Sequence, residues 1–450
     1  MQVELLQLAS AIVDRVQGAE QVEAFLTHQR EFEVKAYLGE AESVSSAEPR
    51  GAGVRLLSNN RAGFAYTTDL SDTGLTAVVE QARTNALSSS EDEAVALAQG
   101  LNDYKEVTGL FDDDQPDVAP EHKVTFAIEL EKAARSLDPR IRVVEEAGYS
   151  DSDSEIAIAT STGISGSYRR TDAWCYAVAI AEEGDDTQVG FEFDLARGLS
   201  SLDAQEVARR AGERALSVLG AAKIPSARMP IVFDPYTAGQ FLSVIGGVLT
   251  AEAVQKGRSL FAGKLGESMA AGGLTLVDDG RAEGAPGAAP WDAEGTPTQR
   301  TEVISGGVLR SLLYDIPSAR REGRSSTGNA SRAGFKSAPG PSPSNMTFMS
   351  TGETAQEVLR KGGRALLVQD FHGVHSGANP VSGDFSVGVT GRLLEDGALG
   401  APVKEVTIAA PMLDILGGIV AVADDRRWLP FGGSYGGATT LIAEMTVGGL

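Results

Sequence analysis

At 450 residues the chain exceeds what one ordinary hydrophobic core organises, so two or three domains are expected. Its hydrophobic share of 42% and charged share of 22% exclude a disordered chain, and a net charge of -23 opposes nucleic acid or an anionic membrane as partner. No apolar run approaches the ~20 residues of a membrane span, and Met1-Gln2-Val3-Glu4 lacks the basic and apolar regions of a signal peptide, so a cytoplasmic location is expected.

In chain order, Leu5, Leu8, Ile12 and Val16 form one stripe and predict an amphipathic helix over 3–17. Residues 22–38, 53–57 and 63–67 alternate as strands, with Asn59-Asn60 as a turn between the last two, and a helix over 73–87 closes a first unit, 1–90. Residues 91–120 are acidic and carry Asp112-Asp113-Asp114, which suits a surface connection. A central unit, 121–220, follows: helix 121–137, strands near 141–148, 154–160, 165–170, 172–182 and 187–194, and helix 203–219 ending at Gly220. Successive strands without intervening helices imply antiparallel pairing, hence an α+β fold rather than a doubly wound parallel sheet. The single cysteine, Cys175, lies in an alternating run and cannot form an intrachain disulfide; it reads as a buried strand thiol or as a reactive one.

After a linker at 221–230 the texture changes to short strands separated by Gly, Pro and Ser, which predicts a mostly β third domain over 231–450 containing one long helix. That helix starts well. Asp234 can cap it and Pro235 suits its first position. Phe241, Ile245, Val248 and Glu252 recur at helical spacing, placing one carboxylate on an apolar face. Glu252 then reads either as the partner of Lys256 four residues on or as part of a catalytic helix.

No Walker loop, dinucleotide fingerprint or zinc-ribbon spacing is present. Two further stretches carry candidate chemistry. Residues 370–386 gather His372 and His375 with Asp370, Asn379 and Asp384 in a polar, glycine-rich loop, which reads as a metal site, as loop-ordering hydrogen bonds or as a contact for peptide or partner. Residues 325–332, with Ser326, Asn329 and Arg332, read either as a binder of an extended backbone or an anion, or as plain loop.

Five ordered motifs carry a resemblance: Lys256-Gly257-Arg258-Ser259, Trp291-Asp292-Ala293-Glu294-Gly295-Thr296-Pro297-Thr298, Ser326-Thr327-Gly328-Asn329-Ala330-Ser331-Arg332, Asn379-Pro380-Val381-Ser382-Gly383-Asp384-Phe385-Ser386 and Met445-Thr446-Val447-Gly448-Gly449. Together they resemble the TldD/PmbA family of metallopeptidases, in particular its TldE (PmbA) branch. The resemblance is weak up to about residue 220 and close after it. It implies a cytoplasmic heterodimer of a TldD-like and a TldE-like subunit enclosing a chamber in which unfolded peptides are cut. The TldD-like subunit supplies zinc on a His-Glu-x-x-x-His helix completed by a cysteine near its C-terminus. There zinc lowers the pKa of bound water and the Glu takes its proton.

On this sequence the helix motif reads Ala251-Glu252-Ala253-Val254-Gln255-Lys256, so only the Glu remains, and residues 423–437 contain no cysteine. Neither catalytic residue nor metal is therefore expected in this chain, and zinc is expected in the TldD-like partner. The resulting expectation is a non-catalytic subunit, with Ser326, Asn329, Arg332, His375, Asn379 and Asp384 as candidate contacts for unfolded peptide or partner. The alternatives are a homodimeric peptide-binding protein or a maturation factor for one modified peptide, working without a TldD-like partner, and a hydrolase using His372 or His375. The family's older label as a modulator of DNA gyrase suggests nucleic acid, against which the net charge argues.

Overall fold

A computed structural model describes residues 4–100, 104–430 and 432–450. The start of the predicted first helix, part of the acidic connection and one position of the cysteine-free C-terminal stretch lie outside the described residues.

The first half is one sheet under a layer of helices. In chain order it contains α1 (Leu5–Val13), β1 (Gln21–Tyr37), β2 (Glu40–Ala47), β3 (Arg50–Ser58), β4 (Arg61–Thr67), α2 (Asp72–Ser88), α3 (Pro120–Ser136), β5 (Ile141–Thr160), β6 (Ser165–Glu183), β7 (Asp186–Ala196) and α4 (Ala204–Ser217). The strand order is β4-β3-β1-β5-β6-β7, antiparallel throughout, with β2 also paired to β1. The two-residue period of β1 sets its faces. Val22, Ala24 and Leu26 join the core formed with α1 and α2, and Phe32, Val34 and Ala36 join the one under α3. The stretches expected as first and central units thus share one sheet through the β1/β5 ladder.

Asn59 and Asn60 form the β3/β4 turn, with φ of 49° and 57°, the paired left-handed geometry that suits the twist of a two-residue hairpin. Strands expected as 141–148 and 154–160 are one twenty-residue strand, β5. The polar run between them is paired on both sides, by β1 and β6, so its backbone groups are satisfied without any apolar pattern to announce it. β2 escaped the periodicity for a related reason, because every residue in it is exposed. The acidic connection is not wholly superficial: Ala94, Leu97 and Ala98 are buried. Cys175 is buried under the helices, where burial pushes its thiol well above the usual range.

The second half contains β8 (Ala227–Phe233), α5 (Pro235–Gly246), α6 (Ala251–Gln255), β9 (Leu276–Asp279), β10 (Arg300–Ser305), β11 (Val308–Leu309), α7 (Ile316–Arg321), β12 (Ala330–Ser331), β13 (Gly340–Pro341), β14 (Met346–Phe348), α8 (Ala355–Lys361), β15 (Ala365–His372), α9 (Val374–Gly377), β16 (Ala378–Asn379), β17 (Asp384–Glu395), β18 (Ala398–Pro411), α10 (Met412–Gly417), β19 (Ile419–Val422), β20 (Arg427–Leu429), β21 (Tyr435–Gly437) and β22 (Thr440–Gly448). The order β15-β8-β22-β18-β17 closes on itself because β17 also pairs with β15, which makes a barrel. Only β8 and β15 run parallel within it. A second sheet, β11-β10-β9-β14-β21-β20, packs beside it with α5 in the shared core. Part of the expected linker, from Ala227, belongs to β8.

α5 starts as its sequence suggests. The Asp234 carboxylate accepts from the Thr237 amide at 2.8 Å, and Arg214 of α4 donates to its second oxygen at 2.6 Å, tying the helix layer of the first half to the barrel. The long helix expected beyond it does not form, because α5 stops at Gly246 and a 3₁₀ turn covers Gly247–Leu249. Thr250 is extended, clamped because Leu313 donates to the Leu249 carbonyl and accepts from the Ala251 amide. α6 restarts there under a Thr250 cap and lasts five residues. Among the described residues no helix is long and apolar enough to cross a membrane.

Candidate functional site

The break in the helix decides where the motif residues point. Ala251 is fully buried, packed in the second-half core. Glu252 does not sit on an apolar face as its spacing had suggested; its side chain is 41% exposed and accepts from the Lys256 ammonium at 2.8 Å. The 3₁₀ turn and the extended Thr250 change the phase of the helix between Val248 and Glu252, so one stripe does not continue through both. Residue for residue, the turn is unfit for zinc. Ala251 has no donor atom, and a lysine ammonium holds the carboxylate that would otherwise take a proton. Among the described residues no three His, Cys, Asp or Glu side chains gather as a metal site.

Because the Glu252–Lys256 pair is exposed, it is a weak determinant of stability. Lys256→Ala should change unfolding free energy by less than about 0.5 kcal/mol, checked by urea denaturation; a loss several times larger would show that the pair holds the fold.

The 370–386 loop comes against this turn, since the Leu260 amide donates to the Pro380 carbonyl at 3.2 Å. Asn379 accepts the amides of Val381 and Ser382, and Asp384 accepts from the Ser382 hydroxyl at 2.6 Å, so both order the loop itself. His375 is exposed on α9. His372 lies apart, on β15, with its Nε2 2.8 Å from the Thr390 hydroxyl in a cleft that also holds Tyr236 and Asp370.

The 325–332 loop lies on the other flank and is less free than an exposed binding loop. The Ser326 hydroxyl donates to the Tyr314 carbonyl at 3.0 Å. Asn329 is buried, donating to Asp278 at 2.6 Å and accepting from Thr327 at the same distance. Gly328 between them has φ of 70°, and a Cβ there would stand 2.4 Å from the Pro297 carbonyl, so only glycine fits.

Arg332 leads to a buried network of charges at the seam between the first sheet and the second half. Its guanidinium lies over the Phe25 ring at 4.2 Å and donates to Glu23 at 2.7 Å and to the Ala293 carbonyl. Arg55 donates to the same Glu23 at 2.6 Å and to Glu294 at 2.9 Å. Charges therefore alternate along Arg332, Glu23, Arg55 and Glu294, and both carboxylates are at most 1% exposed. Burial alone would raise the Glu23 carboxyl, but the two arginines outweigh it and hold it below its usual range.

Asp292 stands beside this chain of charges. Its carboxylate accepts the amides of Glu294, Thr296 and Ala330, while burial and the neighbouring Glu294 push its pKa up to about 8. Asp278, under Asn329, is pushed by burial to about 6.

An open cleft of about 390 Å³ lies along this seam, lined by Arg332, Trp291, Asp292, Arg170, Ser434 and neighbouring backbone. Trp291 is held by Tyr104 and Tyr168, each ring centre 5.0 Å away. Of the candidate contact residues named from sequence, Arg332 alone lines it; Trp291 and Asp292 stood only within a family motif, and Arg170 and Ser434 were not candidates. A usable signal existed. Glu23 and Arg55 each interrupt an otherwise apolar alternation, Val22–Leu26 and Val54–Leu57, and such a charge on a buried strand demands a buried partner.

Profiles of three domains match the chain in succession: PmbA/TldA metallopeptidase domain 1 over residues 22–86, the central domain over 113–219 and the C-terminal domain over 226–449. Metalloprotease PmbA of Escherichia coli O157:H7 is 27% identical over 401 residues, 87% of this chain and 85% of that protein. A metalloprotease TldD homolog of Haemophilus influenzae is 27% identical over 433 residues, 89% and 87% of the two chains. Among solved structures, a putative modulator of a DNA gyrase from Thermotoga maritima superposes with TM-score 0.90 at 24% identity, covering 99% of this chain and 100% of its own. TldE from Thermococcus kodakarensis superposes with TM-score 0.88 at 22% identity, covering 99% of each chain. At those identities the two structures speak for the fold alone.

Proposed function

The chain belongs to the PmbA/TldD metallopeptidase family, and from that premise we propose that it is a non-catalytic, TldE-like subunit that pairs with a TldD-like subunit to enclose and cut unfolded peptides. One observation carries the reading: the ammonium of Lys256 sits on the carboxylate of Glu252, beside an alanine that offers a metal nothing. A Glu whose oxygen already accepts from a lysine ammonium, with no metal-ligating side chain at the position before it, lacks the zinc-bound water that a general base would act on. Zinc and the proton-accepting Glu then belong to the partner, and this chain contributes wall and substrate contacts in the cytoplasm. A strand-rich wall suits such substrates, since backbone pairing reads no sequence.

The test is co-purification with the TldD-like subunit of the same cell, followed by a cleavage assay on an unfolded peptide with and without chelator. The pair should cleave and lose activity with chelator, while this chain alone should not cleave. Zinc-dependent cleavage by the purified chain alone would overturn the reading, and a stable homodimer indifferent to the TldD-like subunit would replace it with a stand-alone peptide-binding role.

A further inference from the structure

The cleft along the seam has an unusual lining. Three side chains on it carry hydrogen-bonding atoms that are buried yet lack any partner: Nη1 and Nε of Arg332, Nε1 of Trp291 and Oγ of Ser434. The Arg332 side chain is 1% exposed, Trp291 6% and Ser434 4%, so these are interior groups rather than surface ones. A buried donor left unmade costs about 1–3 kcal/mol, and native proteins contain few. Three such side chains on one cleft point to a missing partner.

The chemistry of that partner follows from the lining. An arginine and an indole N–H donate and cannot accept, and a hydroxyl can do either. Stacking on Phe25 uses the face of the Arg332 guanidinium, and its Nη1 and Nε at the rim have no protein partner. The one carboxyl in the wall is already engaged, because both Asp292 oxygens take backbone amides. Charge also permits an anion despite the net charge of -23. Arg332 and Arg55 are balanced by Glu23 and Glu294, and Arg170 and Arg197 by Asp172 and the wall carboxyl Asp292, so the lining carries no excess of negative charge.

We infer that this cleft binds acceptor oxygens of a peptide, its terminal carboxylate or a main-chain carbonyl, through Arg332, Trp291 and Ser434. The inference deepens the proposed function by giving the wall a substrate subsite, and it rests on that reading for the identity of the ligand as a peptide.

The experiment needs neither the partner nor cleavage. The full chain, labelled with ¹⁵N, shows an indole N–H resonance for each of its 3 tryptophans, and Trp291→Phe assigns the relevant one. Acetyl-trialanine with a free carboxylate is titrated in, and separately the same peptide as its amide. The expected result is a saturable shift of the Trp291 signal, with affinity lowered about tenfold by Ser434→Ala. Equal binding of the amide assigns a main-chain carbonyl, and weakened binding assigns the terminal carboxylate. No saturable shift with either peptide, or binding measured calorimetrically that is unchanged in both Trp291→Phe and Ser434→Ala, overturns the inference and leaves the cleft to ordered water. Unchanged thermal transitions of the two variants show that the fold persists. A positive titration with a failed partner assay would refute the subunit role alone.

Discussion

Glu23→Gln is expected to destabilise the chain by about 3–5 kcal/mol, the effect of removing one partner from a buried ionic cluster. The amide keeps the shape of the carboxylate and removes only its charge. Arg55 retains Glu294 at 2.9 Å, but Arg332 is left with the Ala293 carbonyl and the Phe25 ring, a cation with no ion-pair partner of its own and only a share of the Glu294 charge, in an interior where its side chain is 1% exposed. Urea denaturation of the wild type and the variant measures the difference. A loss below about 1 kcal/mol would mean that water reaches Arg332 and screens it.

The partner experiment separates the contribution of the pair from the damage of halving it. Glu23→Leu with Arg332→Met removes both charges at one end of the network and leaves Arg55 with Glu294. It should lose less than Glu23→Gln, because a buried pair replaced by apolar groups is often neutral whereas a broken pair is not. Such a network is a poor source of stability yet a demanding one in geometry. It fixes the register of the first sheet on the second half, since Glu23 of β1 meets Arg332 only when the two halves seat correctly, 309 residues apart in sequence.

That separation explains which parts of the molecule were legible in the sequence. Local features were. The Asn59-Asn60 turn, the Asp234-Pro235 helix start and helices α2 to α4 each depend on residues within a few positions of one another. The α+β class and its antiparallel pairing followed from strands in succession. Barrel closure did not, because β15 pairs with β8, as Leu366 opposite Ile231, and again with β17, contacts that no local pattern encodes. The helix break after Gly246 escaped for the same reason. The segment that clamps it, an isolated bridge at Leu313, lies far along the chain. At the site, spacing showed the Glu252–Lys256 pair and the family resemblance set Ala251 and Lys256 where the ligands would stand, whereas the exposure of Glu252 depends on that distant clamp. Arg332 was a candidate without its context: Glu23, Trp291 and Ser434 join it only through the fold.

The same seam should make stability fall as pH rises from about 5 to 8.5, and the reason lies in Asp292 and Asp278. Each is a carboxyl whose folded pKa is raised, Asp292 to about 8 and Asp278 to about 6, against an unfolded value near ~4. Between the unfolded and folded values the native state keeps a proton that the unfolded chain releases. Stability is therefore fully present below the unfolded value and is lost as pH climbs through the folded one, with a slope of at most ~1.4 kcal/mol per pH unit for each proton. Asp278 acts up to about pH 6 and Asp292 up to about pH 8, so the fall is steeper in the lower half of the range. Glu23 and Glu192 oppose it only at lower pH, since burial is outweighed by their arginines and their pKa values are held below the usual range. Urea midpoints at pH 5.5, 7 and 8.5 should decline in that order in the wild type. In Asp292→Asn, which cannot ionise, the decline between pH 7 and 8.5 should flatten even if the variant is less stable overall for lack of an acceptor. An unchanged slope would mean that Asp292 is ionised in the native state, its three amide donors outweighing both burial and the charge on Glu294.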